Sequence, residues 1–216
     1  MPSDLKLEYS KYKHLINEAD VLLFHHFPKF TNLGYWIATY THSPYSHVAL
    51  AHWHNNEILC LEFREFKGGQ EVLLEDYLKK GCRIDVFRAT PSVEIPYVDM
   101  TDPDKPEVKV NRYDFTPDIA NKITQTGHKL IGREYSWWTI WQLAKTLIPF
   151  IRLGQDPLFI YAANGPPTEQ EFVCSTLVSY SYRLHYADPV TFLSDSYTTP
   201  GDIARSELFV KLFEIT

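Results

Sequence analysis

A histidine and a glutamate lie on one face of a predicted β-hairpin. Residues 46–53 and 57–65 alternate between apolar and polar side chains, and the Asn55-Asn56 pair between them tolerates the positive φ angles of a tight turn. Because the side chains of a strand alternate with a period of two, this turn makes His47 and Glu62 diagonal neighbours within reach of each other. A carboxylate beside an imidazole selects its tautomer and stabilises its protonated form. The pair is a candidate general base with its orienting carboxylate, although such diagonal pairs also occur without a function.

A cysteine lies near the start of a predicted helix over residues 171–185. Cys174 belongs to the apolar stripe of this helix, and a thiolate near a helix N-terminus is stabilised by the helix dipole and by free N–H groups. The run Gly165-Pro166-Pro167 favours a helix that begins close to Cys174. The segment 168–171 fits a capping box, which would start the helix earlier and bury Cys174 as an inert core thiol. Both interpretations stay open at this point.

Other histidines could bind a metal ion. His52 and His54 share a strand face, and His25-His26 would add ligands, but no acidic residue or cysteine lies at ligand spacing. The three cysteines show no CxxC spacing, which argues against a structural zinc site and a disulfide framework. We expect no metal and no organic cofactor, and a metal-binding protein built on these histidines is the minor alternative.

Composition excludes several classes of function. The chain has 21 basic and 27 acidic residues and a formal net charge of −6, which argues against a nucleic-acid partner. The longest apolar stretch, 137–151, is interrupted by Gln142, Lys145 and Pro149 and is too short for a transmembrane segment. The first 20 residues lack the apolar core of a signal peptide, so we expect a cytoplasmic protein. Its oligomeric state is not readable from these features.

The elements around these residues predict an α+β fold, with an antiparallel sheet packed against helices. Strands are expected at 21–24 and 83–88 besides the hairpin, and helices at 7–19, 30–40, 71–80, 116–132 and 137–147. Residues 91–111 contain four prolines and five acidic residues. They predict a long surface excursion from one domain that spans residues 1–216.

Six segments resemble, in order, those of YiiX-like proteins. These belong to the circularly permuted branch of the NlpC-type papain-fold cysteine hydrolases, which also contains relatives of lecithin:retinol acyltransferase. Residues 41–50, THSPYSHVAL, resemble the T-x-S-x-[YF]-S-H-V-[GA]-[IL] segment, and residues 173–178, VCSTLV, resemble [YF]-C-S-[EQT]-L-[VI]. The other four matches are 19–24, Leu61-Glu62, 132–137 and 199–203. This chain departs from the pattern at Ala19 and Thr176 and in the length of 91–111.

The resemblance implies a permuted papain-like fold and a cysteine peptidase or amidase. It implies a triad of Cys174, His47 and Glu62 that works through a thioester acyl-enzyme on a cell-wall-type peptide. A lipid acyl hydrolase or acyltransferase on the same triad is one alternative, so the substrate is a small peptide or an acyl lipid. A second alternative is a catalytically silent module that binds a peptide or lipid. The Cys174 backbone N–H is the expected first oxyanion donor, and Tyr45, on the predicted His47 face, is a candidate second donor and substrate contact.

An aromatic helix completes the candidate site. Trp137, Trp138 and Trp141 recur at roughly helical spacing, and an ordinary core helix would explain them. However, Trp137 and Trp138 point about 100° apart on a helix, which one buried face does not easily hide. We therefore predict that at least one of the two borders a groove that leads toward Cys174. Burial of both, far from Cys174, would favour a peptide substrate over a lipid.

Overall fold

The structure, a computed structural model, describes residues 6–7, 9–25, 38–39, 41–99, 107–137, 172–191 and 193–216. The strands in this part of the chain are β1 Lys6–Leu7, β2 Val21–His25, β3 Tyr45–His54, β4 Glu57–Arg64, β5 Gly68–Leu73, β6 Ile84–Ala89, β7 Ser92–Asp99, β8 Glu107–Asp114 and β9 Phe209–Ile215. The α-helices are α1 Tyr9–Tyr12, α2 Leu74–Lys79, α3 Pro117–His128, α4 Cys174–Arg183 and α5 Pro200–Arg205. Single 3-10 turns cover Lys13–Leu15 and Asp195–Tyr197.

A central sheet has the strand order β1-β9-β6-β2-β3-β4-β5. The six strands from β9 to β5 pair antiparallel, and the short β1 adds a parallel edge to β9. Strands β7 and β8 form a separate two-stranded sheet. The predicted α+β fold with an antiparallel sheet is confirmed.

The hairpin of β3 and β4 has the predicted register. His54 pairs with Glu57 and Ala51 pairs with Cys60. Asn55-Asn56 forms the turn, with φ angles of 47° and 64°, a left-handed conformation that asparagine tolerates better than most residues. The turn residues thus determine which side chains of the two strands share a face.

Tyr45 lies on a different face of the sheet from the one predicted. The pairing of β2 with β3 shifts by one residue between Phe24 and His25, so Phe24 pairs with His47 and His25 pairs with Tyr45. A bulge of this kind interrupts the alternation of side chains. Tyr45 therefore packs in the core cluster that contains Val48, and the prediction that it shares the His47 face is wrong.

Apolar side chains cover both faces of the sheet. On one face, Leu50 and Leu61 pack with Ile123 of α3 and Leu177 of α4, all fully buried. The opposite face has its own cluster, in which Ala51 and Cys60 pack with Leu74 of α2. Burial of one large aliphatic side chain contributes about 1.5–3 kcal/mol, so these contacts hold α4 firmly against the strands that carry His47 and Glu62.

Some predicted elements differ from those observed. The helix expected at 71–80 begins only at Leu74, because residues 68–73 pair with β4 as strand β5. The helix expected at 7–19 is reduced to α1 and one 3-10 turn. The excursion at 91–111 contains β7 and the start of β8. The helix expected at 30–40 lies outside the described residues except for 38–39, which are helical.

Helix α3 begins where the sequence predicts. The Thr116 side chain accepts a hydrogen bond from the Ile119 backbone N–H at 3.3 Å, and Pro117 follows it in the first turn. The helix ends at His128, before the predicted Gly132. No helix among the described residues is long and apolar enough to cross a membrane.

Candidate active site

Cys174 is the first residue of α4. The preceding residue, Val173, has an extended backbone with φ −127° and ψ 178°, so the helix does not begin earlier. The alternative in which Cys174 lies in the second turn is wrong, although the capping-box segment 168–171 itself lies outside the described residues. Backbone N–H groups of a first helical turn have no acceptor within the helix. Cys174 therefore lies in the turn whose N–H groups lack an acceptor within the helix, and the residue is 6% exposed.

The imidazole of His47 lies between Glu62 and Cys174. His47 Nε2 is 2.6 Å from Glu62 Oε2, and Cys174 is near enough to the imidazole to contribute to raising its pKa. Because Nε2 faces the carboxylate, Nδ1 is the nitrogen left to face the thiol. The ring packs edge-on against Phe24, with centroids 5.1 Å apart, and is almost fully buried. The structure thus brings together the three residues that the sequence analysis singled out.

Glu62 is held by a network that sequence reasoning missed. Its carboxylate is fully buried, and Oε1 accepts hydrogen bonds from Gln70 Nε2 at 2.7 Å and from the Tyr77 hydroxyl. Arg64 Nε lies 3.5 Å from the same oxygen. Gln70 lies directly opposite Glu62 in the β4–β5 pairing. Oε1 is therefore fixed by neighbours, and Oε2 is left to face His47.

The charges of this site are mutually supporting. Burial raises the pKa of Glu62, but the charge and hydrogen bond of His47, with Arg64 and Tyr77, outweigh burial and bring that pKa to about 2. Burial and the Arg64 charge lower the pKa of His47, whereas Glu62, Cys174 and the Cys174 hydrogen bond raise it, and the net direction is upward. Glu62 is therefore anionic at neutral pH, and His47 keeps a proton more readily than a free histidine.

The other two cysteines have different surroundings. Cys60 and Cys82 are buried, and burial is the largest cause that raises the pKa of each thiol. Neither is at a helix start, since Cys60 lies within β4 and Cys82 precedes β6. A buried thiol with a raised pKa is a poor nucleophile near neutral pH. These two residues serve as internal references for the reactivity of Cys174.

Tyr45 belongs to a second polar cluster, which also escaped the sequence analysis. Its hydroxyl donates to Asp85 Oδ2 at 2.6 Å, and the same oxygen lies 2.7 Å from Lys211 Nζ and 3.0 Å from His25 Nε2. Glu214 lies beside them, 3.9 Å from His25 Nε2. The hydroxyl proton of Tyr45 is thus engaged by Asp85 rather than directed at a developing oxyanion. These contacts join distant strands, which ligand spacing along the sequence does not reveal.

Of the histidines named as metal ligands, His52 and His54 lie near each other, with ring centroids 6.3 Å apart. His52 Nδ1 is 2.6 Å from Glu18 Oε1, whereas His54 is exposed and contacts Asn55. His25 lies in the Asp85 cluster, and His26 is outside the described residues. Among the three described histidines, His25 therefore lies in a different cluster from His52 and His54.

Trp137 is half-exposed and packs against a second aromatic ring. Trp137 is 45% exposed, and its ring packs against Tyr135 with centroids 5.5 Å apart. Burial and then the Cys174 charge raise the pKa of Tyr135. Trp138 and Trp141 lie outside the described residues. Trp137 is thus not fully buried, and the groove toward Cys174 stays a prediction.

Comparison with known proteins finds similarity in structure alone. Neither a protein-family model nor a curated protein matches the chain. A solved structure similar to it is that of the metalloprotein yiiX from Escherichia coli O157:H7, with a TM-score of 0.54 and 13% sequence identity. The match covers 91% of this chain and 96% of that one. The fold is YiiX-like. At this identity the similarity concerns the fold only.

Proposed function

We propose that this protein is a cysteine hydrolase in which Cys174 is the nucleophile, His47 the general base and Glu62 the carboxylate that orients His47. The observation that carries the proposal is the buried pair of His47 and Glu62, 2.6 Å apart, with Cys174 at the start of α4 near enough to influence the pKa of His47. Residues in this order resemble a nucleophile, a base and the third group that orients the base.

The reaction has two halves. His47 accepts the Cys174 proton, and the thiolate adds to the carbonyl carbon of an amide or ester, which gives a tetrahedral oxyanion. The Cys174 backbone N–H is the proposed first donor to that oxygen. The imidazolium then gives its proton to the leaving amine or alcohol as the carbon–heteroatom bond breaks, and a thioester remains. His47 next removes a proton from water, whose oxygen displaces the thiolate and releases the carboxylic acid.

The electrostatics favour a protonated His47 in the resting protein. Glu62 stays charged because its pKa is about 2, and its charge helps to raise the pKa of His47. Gln70 and Tyr77 donate to Glu62 Oε1, so the carboxylate does not need water to satisfy it. A preorganised pair of this kind acts without reorganisation when the substrate arrives.

The substrate remains a prediction. A peptidase or amidase that acts on cell-wall-type peptides follows from the sequence resemblance, and the same triad would serve a lipid acyl hydrolase or an acyltransferase. A silent binding module would keep the fold without the reactive ion pair. The reactivity of the Cys174 thiol distinguishes the silent binding module from the hydrolases and the acyltransferase.

Iodoacetamide labelling of the native protein tests the proposal. We expect Cys174 to be alkylated at about pH 6 at least tenfold faster than Cys60 and Cys82, as measured by mass spectrometry of peptides. His47→Ala should remove the difference, because the base that supports the thiolate is lost. Equal, slow labelling of all three cysteines would contradict the hydrolase and favour the binding module.

Metal binding is a second candidate, because yiiX is a metalloprotein and the ligand atoms of His25, Asp85 and Glu214 lie within 4.8 Å of one another. Asp85 Oδ1 is also buried and has no hydrogen-bond partner within the described part of the chain. The residues do not fit a metal ion as they stand. Lys211 Nζ is 2.7 Å from Asp85 Oδ2, and Arg83 donates to both carboxylate oxygens of Glu214. A divalent ion would have to displace cations that already neutralise these carboxylates.

Thermal unfolding with added zinc chloride, beside metal analysis of the purified protein, separates the two candidates. We expect no stoichiometric metal and no rise in Tm, because Lys211 and Arg83 occupy the carboxylates. A stoichiometric metal whose removal by a chelator lowers the Tm would establish metal binding instead.

A further inference from the structure

We infer that Phe66 and Trp137 form an apolar binding surface for the acyl chain of the substrate that Cys174 attacks. The inference rests on the proposed function and adds the part of the substrate that is recognised: an extended apolar chain attached to the scissile carbonyl. Phe66 lies in the turn between β4 and β5, which the sequence analysis did not single out.

The exposed Phe66 side chain contributes little to the stability of the fold. Its side chain is 88% exposed, so it adds little to the core, and its φ of 65° places the backbone in the left-handed region. That conformation costs a non-glycine residue about 1–2 kcal/mol. A bulky residue held there is an outlier of the kind that clusters at ligand-binding sites. Glycine or asparagine would serve the turn better if the turn were its only role.

The turn is fixed against the segment that carries Trp137. The Gly69 N–H donates to the Arg133 carbonyl at 2.8 Å, and the Gly132 N–H donates to the Gly69 carbonyl at 2.9 Å. Gly68 comes so close that an added Cβ would lie 2.1 Å from the Arg133 carbonyl oxygen. These contacts hold the Phe66 ring 4.8 Å from the Trp137 ring, centroid to centroid.

The same segment is tied to the residues that precede Cys174. The Ser136 N–H donates to the Phe172 carbonyl at 2.9 Å, two residues before the thiol. The Tyr135 ring, one residue before Ser136, packs against the Trp137 ring with centroids 5.5 Å apart. The three rings Tyr135, Trp137 and Phe66 therefore form a row that starts at the segment bonded to Phe172 and ends at an exposed residue.

The chemistry of the row indicates an apolar chain. Ring faces provide contact area and little hydrogen bonding, so they discriminate ligands by the apolar surface that is buried. A chain bound to the acyl carbon would start at Cys174 and run along the rings. Each methylene that becomes fully buried contributes up to about fourfold in binding of the transition state.

A series of p-nitrophenyl esters, from acetate through butyrate and hexanoate to octanoate, tests the inference. Rates of the Cys174→Ala variant are subtracted to remove spontaneous hydrolysis. We expect kcat/KM of the native protein to rise about twofold to fourfold per added methylene until the row of rings is covered. Phe66→Gly should flatten this rise for the longer esters.

Tyr186→Gly is the matched control. Tyr186 is also exposed, by 79%, and also has a left-handed φ, of 64°. It follows the C-terminal end of α4, about 15 Å along the helix from Cys174. Both glycine variants relieve the same backbone strain and should raise the Tm. Only Phe66→Gly should alter the dependence on chain length.

The outcomes distinguish the two proposals. If the native protein and the Cys174→Ala variant hydrolyse acetate equally slowly, the proposed function fails and the inference fails with it. If hydrolysis depends on Cys174 but not on chain length, or if Phe66→Gly keeps the native dependence, only the inference is overturned. Faster turnover of an N-acetylphenylalanine ester than of the octanoate would likewise overturn it in favour of an aromatic side chain.

Discussion

The Tyr77 hydroxyl donates a hydrogen bond to Glu62 Oε1, the carboxylate oxygen that does not face His47. Gln70 Nε2 donates to the same oxygen. Neighbours from β5 and α2 thus saturate one side of the carboxylate, and the other side is presented to the imidazole. This division of the two oxygens makes the proposed triad depend on residues that never approach the thiol.

Replacing Glu62 by glutamine should lower the reactivity of Cys174. The isosteric amide removes the negative charge that raises the pKa of His47, so the imidazolium and its thiolate partner persist over a narrower range of pH. We expect alkylation by iodoacetamide at about pH 6 to slow at least tenfold. The pH profile of alkylation should also move, whereas an unchanged profile would show that Glu62 does not act through His47. Circular dichroism serves as the control for folding.

Replacing Tyr77 by phenylalanine should lower the stability of the protein and should change the reactivity of Cys174 less than Glu62→Gln does. Loss of this donor leaves Oε1 with Gln70 and Arg64, so the pKa of Glu62 should rise and the unfolding free energy should fall by about 1–3 kcal/mol. Denaturant unfolding measures the loss of stability, and the alkylation profile should move in the same direction as for Glu62→Gln.

Tyr113→Phe is the matched control for that variant. The Tyr113 hydroxyl is buried and has no hydrogen-bond partner among the described residues. Its removal relieves an unsatisfied polar group, so stability should stay the same or rise. Equal destabilisation by the two variants would mean that the Tyr77 hydroxyl contributes only packing.

Asp188 should make stability depend on pH. Burial raises its pKa to about 6, helped by the charge of Asp195 and opposed by the Val190 N–H and Arg183. A carboxyl whose folded pKa exceeds the unfolded value contributes stability that is present below about pH 4 and is lost as the pH rises through 6. Asp188→Asn should therefore raise the unfolding free energy by about 1–2 kcal/mol at neutral pH and leave it unchanged near pH 4. A constant difference at all pH values would exclude this titration as the cause.

Two glycines offer a test of the backbone contact beneath the proposed binding surface. Gly68 and Gly81 both have a positive φ, 71° and 76°, but only Gly68 approaches another backbone. We expect Gly81→Ala to lower the unfolding free energy by about 1–2 kcal/mol, from the left-handed conformation alone. Gly68→Ala should lower it by several kcal/mol more, because its Cβ would overlap the Arg133 carbonyl oxygen. Similar losses for the two variants would contradict the close packing of the β4–β5 turn against residue 133.

The sequence by itself determined the features that depend on neighbouring residues. The Asn55-Asn56 turn specifies the register of β3 and β4, and the register puts His47 and Glu62 on one face. Thr116 and Pro117 specify the start of α3 in the same local way. These predictions succeed because the backbone preferences of a few adjacent residues decide the geometry.

Only the tertiary structure decided the features that join distant segments. The bulge that turns Tyr45 toward Asp85 and the extended Val173 that starts α4 at Cys174 depend on packing of the whole sheet. The support of Glu62 by Tyr77, like the contact of Phe66 with Trp137, arises because separate segments meet in space. Long-range burial and strand pairing override local backbone preferences of about 1 kcal/mol per residue. Strand β5 is an example, because its last residues belong to the segment 71–80 that the sequence predicts to be helical.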